Sequence, residues 1–296
     1  MSDFQFYLEQ YWFEILLAMP YFASVSIFGV FLLLRRSSLY GAVLSQTAQI
    51  SFLIGTALHF QGHDGALDLI NRSNMEDISS ELFHLDLYVM PITLLILLPF
   101  IWISRKPMLN SESSLLIIFV FLTGTLPLLN KLMGGGDGTL LKIYFTEILY
   151  TPSEVFLFYL IHVISMTVIL LLIHRVILLS GYDPVQSMLN GWNPGFHNIV
   201  FFLLTAILLS ATIRVLGIYV TLGAMFAPGM AALRLGRTIR GTLIWAASLS
   251  VILATAGFMV AFIYDSLPTE PLVLIVMITG CLLIRTVSLA PKKKFL

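Results

Sequence analysis

Long apolar runs alternate along the chain with short polar connections. They fall at roughly 13–34, 39–60, 87–104, 113–133, 153–175, 196–213, 217–234, 241–264 and 271–289. Each approaches the ~20 residues an α-helix needs to cross the hydrocarbon core of a bilayer. A backbone in lipid must satisfy its own hydrogen bonds, so runs of this length predict helices. The pattern predicts an all-α polytopic membrane protein with eight or nine transmembrane helices, forming one domain over residues 1–296. The seventh run is the weakest, because Gly217, Gly223, Pro228 and Gly229 interrupt it. Residues 139–151 follow the turn at 134–138 and are too polar and short to span, so they predict a surface or re-entrant segment.

Composition supports this reading. The 296 residues are 58% hydrophobic and only 11% charged, with a mean hydropathy of +0.94. Soluble domains carry about 25% charged residues, so this chain has too little charge to cover a water-facing surface. Sixteen basic residues balance sixteen acidic ones, which leaves no nucleic-acid footprint. The single cysteine, Cys281, lies in an apolar run and has no partner for an intramolecular disulfide. Residues 1–14 carry Asp3, Glu9 and Glu14 and no Lys or Arg, unlike the basic start of a secretory signal.

Basic residues orient the spans. With the N-terminus outside and nine alternating spans, 12 of the 16 basic residues fall at cytoplasmic ends. These are Arg35, Arg36, Arg105, Lys106, Arg175, Arg234, Arg237, Arg240, Arg285, Lys292, Lys293 and Lys294. Arg72, Lys131, Lys142 and Arg214 are expected outside. The outer loop 61–86 is acidic, holding Asp64, Asp68, Glu76, Asp77, Glu81 and Asp86 against Arg72.

The inner connection 181–195 carries helix signals. Asp183 is a suitable N-cap with Pro184 at the first helical position, and Gly191 can end the helix with Pro194 beyond. Val185, Met188 and Leu189 give this short segment an apolar side. The bland reading is a surface loop. In the seventh run, Gly223, Ala227 and Ala231 recur four residues apart on one helix face, which suits close packing or a transport pathway.

Several stretches resemble the permease subunits of bacterial metal-ion ABC importers, the zinc, manganese and iron type. They are EILYTPSEV (147–155), GYDPVQSMLNGWNPGFHN (181–198), ATIRVLGIYVTLGAMFAPGMAALRLGR (211–237) and DSLPTEPLVLIVM (265–277), with a weaker match over RRSSLYGAVLSQTAQISFLIG (35–55). The resemblance implies a multi-pass protein of the bacterial cytoplasmic membrane that is not itself an enzyme and binds no cofactor. Its partners would be cytoplasmic ABC ATP-binding subunits that use ATP, an extracytoplasmic substrate-binding protein and a second permease copy or homologue. Asp183, Pro184, Val185, Gln186, Met188, Leu189 and Gly191 would form the ATPase-coupling segment. No GxxxxGK[ST] phosphate loop occurs in the chain.

The family's Asp and His of the second span map onto Ala42 and Gln46. Zinc prefers imidazole, thiolate or carboxylate, so this departure changes any ligation at that point. Gln46 and Gln49, with Gly223 and Ala227, are the candidate pathway residues, and interhelical hydrogen bonding is the alternative for the two amides. His59, His63 and Asp64 at the outer mouth and His162 in the fifth run are candidate metal ligands. Solvated loop groups, and a buried histidine bonded to a neighbouring helix, are the plainer readings. His174 beside Arg175 reads as an interfacial residue.

Three other functions stand against this one. An intramembrane aspartyl protease would use Asp137 and Asp183, but the predicted topology puts them on opposite sides, and an acid dyad must share a proton. A gradient-driven transporter would carry carboxylates at span centres, which look free of them here. A permease-like partner with altered or lost cargo contacts would explain Ala42 and Gln46.

Overall fold

The computed structural model describes residues 3–59, 91–93, 95–96, 112–132, 153–263 and 268–287. Its helices are α1 (Asp3–Leu34), α2 (Ser38–His59), α3 (Glu112–Leu132), α4 (Ser153–Tyr182), α5 (Pro184–Leu189), α6 (Pro194–Leu216), α7 (Ile218–Leu235), α8 (Ile239–Ile263) and α9 (Thr269–Val287). No strand occurs among the described residues. Residues 91–93 and 95–96 are helical and belong to the third apolar run. The loop 61–86, the segment 139–151 and the Lys292–Lys294 tail lie outside the described residues.

Among the described residues, α1, α4, α6, α7, α8 and α9 are long and apolar enough to cross a membrane. The seventh run forms one helix despite its interruptions, with Pro228 inside it. Two helices outrun their apolar windows: α1 begins at Asp3 and α4 continues past Arg175 to Tyr182. Helical hydrogen bonding continues where polar side chains reach the interface.

The bundle is organised around α1, which packs against α8, α7, α4, α6 and α2. Hydrocarbon gives helices no hydrophobic reason to associate, so close packing and interhelical hydrogen bonds decide the arrangement. The tightest approach is at Gly29 of α1. A Cβ placed there would lie 1.6 Å from the Met225 carbonyl oxygen of α7, so the two backbones touch. Gly229 faces the same crossing, where an added Cβ would lie 3.5 Å from the Val30 nitrogen.

Aromatic contacts extend α1 sideways. Phe22 meets Phe258 of α8 edge to face at 6.2 Å, and Tyr21 meets Phe156 of α4 at 5.8 Å. Such pairs contribute about 0.5–1.5 kcal/mol each. Hydrogen bonds tie the same helices: Ser250 Oγ donates to the Phe22 carbonyl at 3.0 Å, and Tyr21 Oη donates to the Phe156 carbonyl.

Arg214, expected at an outer end, is half-buried near the end of α6. Its Nη1 donates to Tyr159 Oη of α4, and the guanidinium carbon lies 5.5 Å from the Tyr159 ring centre. The tertiary fold uses it as an interhelical tie.

The apolar surface left over is extensive. Ile117, Val120 and Phe121 of α3, Ile161 and Leu172 of α4, and Leu283 of α9 are all exposed. In lipid this surface matches its solvent.

Gly29→Ala is expected to destabilise the bundle by about 1–3 kcal/mol, the range for overpacking a filled core. Gly124→Ala in α3, where a Cβ meets nothing within 4 Å, should leave stability unchanged or raise it. Thermal unfolding of the two variants in one detergent checks the contrast. Tyr159→Phe removes one partner of the buried Arg214 guanidinium and should cost about 1.5–3 kcal/mol in the same assay.

Candidate functional site

Helix α2 is the polar helix of an otherwise apolar bundle. It packs against α3 and α6 and buries Ser45, Gln46, Thr47, Gln49 and Ser51. Its hydroxyls are satisfied locally: Ser45 Oγ donates to the Ala42 carbonyl at 2.7 Å, Thr47 Oγ1 to Val43 at 2.9 Å and Ser51 Oγ to Thr47 at 2.8 Å. The amides are not. Gln46 Oε1 and both polar atoms of the Gln49 amide are buried without a hydrogen-bond partner.

Helical geometry explains where these groups lie. Val43, Ile50 and Leu53 form a cluster with Leu122 and Leu126 of α3, while Leu44 and Ala48 join the main core. Ala42, Gln46 and Gln49 form one stripe that runs beside the α3-facing residues, because residues three and four apart lie above one another. Along it, an alanine (Ala42) and a neutral amide (Gln46) stand where the sequence resemblance expects an acid and an imidazole.

Helix α5 stands at the end of the bundle with Arg35 and Arg36. Asp183 caps it, with Oδ1 accepting from the Gln186 N–H at 2.9 Å, and Pro184 occupies the first turn. Gly191, at φ 78°, closes it: the Trp192 N–H reaches the Ser187 carbonyl at 3.0 Å, and the Gly191 N–H reaches Met188 at 2.9 Å. This is the six-to-one and five-to-two closure that a left-handed residue permits. Pro194, beyond that end, opens α6 behind an Asn193 cap. Val185, Met188 and Leu189 point outward, Leu189 being 83% exposed. Only Ser187 is buried, and its hydroxyl lies 3.1 Å from that of Ser180 on α4. The short helix thus presents an apolar face while its back is pinned to the bundle.

The remaining candidate residues scatter. Gly223 and Ala227 sit in the seam between α7 and the last two helices: a Cβ on Gly223 would lie 2.3 Å from Leu274 Cδ1 of α9, and Ala227 clusters with Ala231, Leu249 and Cys281. Neither shares a face with Gln46 and Gln49. Residues of α7 do approach α2, but through Met225 and Phe226 at Gly41.

His162 was expected to bond a neighbouring helix. Its Nδ1 is instead 3.1 Å from the Phe158 carbonyl of its own helix, and its ring lies 4.9 Å from the Phe158 ring. His63 and Asp64 fall outside the described residues, as does the side chain of His59. Among the described residues, no three His, Cys, Asp or Glu side chains come together to hold a metal ion.

Sequence reasoning treated Arg35 only as a topological charge. The structure turns it inward, with Nη2 donating to Asn198 Oδ1 of α6. The basic doublet carries no signal that one member points in and the other out; that depends on the backbone turn between α1 and α2.

A family profile described as the ABC 3 transport family matches residues 4–288. Among solved structures, the chain is similar to PsaBC from Streptococcus pneumoniae, solved in complex with Fab. The TM-score is 0.73 at 14% identity, covering 96% of this chain and 94% of that one. No curated protein matches the chain. The likeness to PsaBC is one of fold, and the family match runs through α1, the polar helix and the capped α5 alike. This multi-pass membrane protein therefore belongs to the ABC 3 transport family.

Proposed function

We propose that the chain is the permease subunit of an ATP-driven importer in a bacterial cytoplasmic membrane. The cargo would be a divalent transition-metal ion of the zinc, manganese or iron type. One observation carries the proposal: α5 holds Val185, Met188 and Leu189 outward at the basic end of the bundle, on a helix capped at both ends. An apolar face at the positively charged, cytoplasmic side suits the groove of a separate ATPase subunit. ATP is bound and hydrolysed there and not by this chain. An extracytoplasmic binding protein delivers the cargo, and a second permease copy or homologue completes the pathway.

Gln46 and Gln49 are the cargo-facing groups in this reading. Buried amide atoms without partners cost about 1–3 kcal/mol each, which a purely structural helix would not retain. Their neutrality means a metal ion meets weak oxygen donors here and does not stop in a tight zinc-type site. Gly223 and Ala227 contribute a smooth seam along which α7 and α9 shift as the pathway opens.

A second reading, a permease-like partner that assembles with an unlike subunit bearing the ligands, is favoured by Ala42 and Gln46. Uptake by the chain as the sole permease, compared with uptake in the presence of a second permease, separates the two.

Met188→Ala combined with Leu189→Ala should abolish stable association with the ATPase while membrane insertion stays intact. Co-purification of the ATPase checks this, and undiminished recovery would reject α5 as the docking element. Gln46→Leu should lower ion uptake at least about tenfold with the ATPase still bound, a loss equivalent to ~1.4 kcal/mol. Manganese(II) and zinc(II) uptake into vesicles, measured with ATPase retention, tests it.

A further inference from the structure

The turn between α1 and α2 is unusually constrained. Arg36 adopts φ 54°, a left-handed conformation that costs a non-glycine residue about 1–2 kcal/mol. The cost is offset by a closed helix terminus: the Ser37 N–H reaches the Leu32 carbonyl at 2.9 Å, and the Arg36 N–H reaches Leu33 at 3.1 Å. This closure sends Arg36 outward and Arg35 into the bundle.

Arg35 touches residues of two other helices there, α4 and α6. Its stem lies against Gly181, near the end of α4 and two residues before the α5 cap. A Cβ at 181 would fall 2.3 Å from Nε, 2.7 Å from Cγ and 2.8 Å from Cδ. Its guanidinium carbon lies 4.3 Å from the Phe201 ring centre of α6, and Nη2 donates to Asn198. Phe202, at 5.7 Å, stacks in turn on Tyr40 of α2 with 4.6 Å between ring centres. Ser180, adjacent to Gly181, holds Ser187 of α5.

Arg35 is a poor choice for packing alone. Its Nε and Nη1 are buried without hydrogen-bond partners. Burial pulls its ionisation down to about 10, so it remains charged at neutral pH. An apolar side chain of similar length would fill the space without a buried charge, and such replacements are often neutral or stabilising. What the guanidinium adds is a directional contact that ties the elbow before α2 to Asn198 and Phe201 of α6, while the stem lies against Gly181 at the end of α4.

We infer that Arg35 is a positioning residue that transmits displacement of α5 to α2, and so to Gln46 and Gln49. The inference rests on the reading of α5 as the ATPase-docking helix. The path is contiguous: α5 moves the end of α4 through Ser187 and Ser180, Gly181 bears on the Arg35 stem, and Arg35 turns the elbow from which α2 begins at Ser38. Contiguous packed contacts of this kind are the physical carriers of coupling.

The test uses the full chain in complex with its ATPase, in the Cys281→Ala background with Gln49→Cys as reporter. The measured quantity is the rate at which a small thiol reagent modifies that cysteine, without nucleotide and with ATP plus vanadate. With Arg35 present the two rates should differ by about fivefold or more, the lower end of ordinary allosteric coupling. Arg35→Met should bind the ATPase and keep the thermal stability of the parent, yet show the two rates within about twofold of each other. Arg35→Lys should fall between. An undiminished nucleotide response in Arg35→Met overturns the inference, as does the lack of any response with Arg35 present. If Arg35→Met does not fold, Gly181→Ala, which displaces the stem but keeps the charge, decides by the same readout. The Met188→Ala, Leu189→Ala variant keeps the underlying reading separate: retained ATPase binding there sinks the docking helix, whereas lost binding there with a full response in Arg35→Met sinks the Arg35 role alone.

Discussion

The contact of α1 with α7 at Gly29 places most of what surrounds it. Lipid tails are as apolar as the side chains facing them, so association depends on how closely surfaces fit and on the polar groups that pair. At Gly29 the fit reaches backbone against backbone. With α7 held there, its opposite side carries Gly223 and Ala227 to α9, and α9 meets α8 where Gly257 lies against the Val273 backbone. The direction in which α1 leaves the bundle then sets the elbow at Arg35–Ser37, and with it the start of α2.

Polar groups in the bundle fall into two kinds. The serines and threonines of α2 donate to carbonyls of their own helix, which makes them compatible with apolar surroundings at little cost. Arg214 and Tyr21 likewise find partners across helices. The amides of Gln46 and Gln49 and part of the Arg35 guanidinium do not. Unsatisfied groups in a low-dielectric interior are expensive; they occur on α2 and the turn before it, and Glu14 of α1 buries one as well.

The connection from α4 to α6 shows the opposite economy. Asp183, Pro184, Asn190 and Gly191 each satisfy a helix end or a left-handed turn, so the short α5 has every terminal requirement met locally. A rigid helix of this kind can expose Val185, Met188 and Leu189 without losing its shape, and Ser187 keeps it registered on α4.

The membrane class, the approximate spans and the limits of α5 were legible in the sequence, because each depends on local features: run length, capping residues, and glycine or proline at helix ends. The interruptions at Gly223, Pro228 and Gly229 made α7 look weak, yet tertiary packing turned those small residues into the surface it needs. Local reasoning could not say that Gly223 faces α9, that Arg214 lies on Tyr159, or that Arg35 and Arg36 part company at one turn. Helix-face pairing is non-local: a small residue permits close approach but does not name its neighbour, and a basic residue near a span end has the same sequence signature whether it meets water or an aromatic ring. Only the assembled bundle decides which, because the free energy of each face depends on the face set against it.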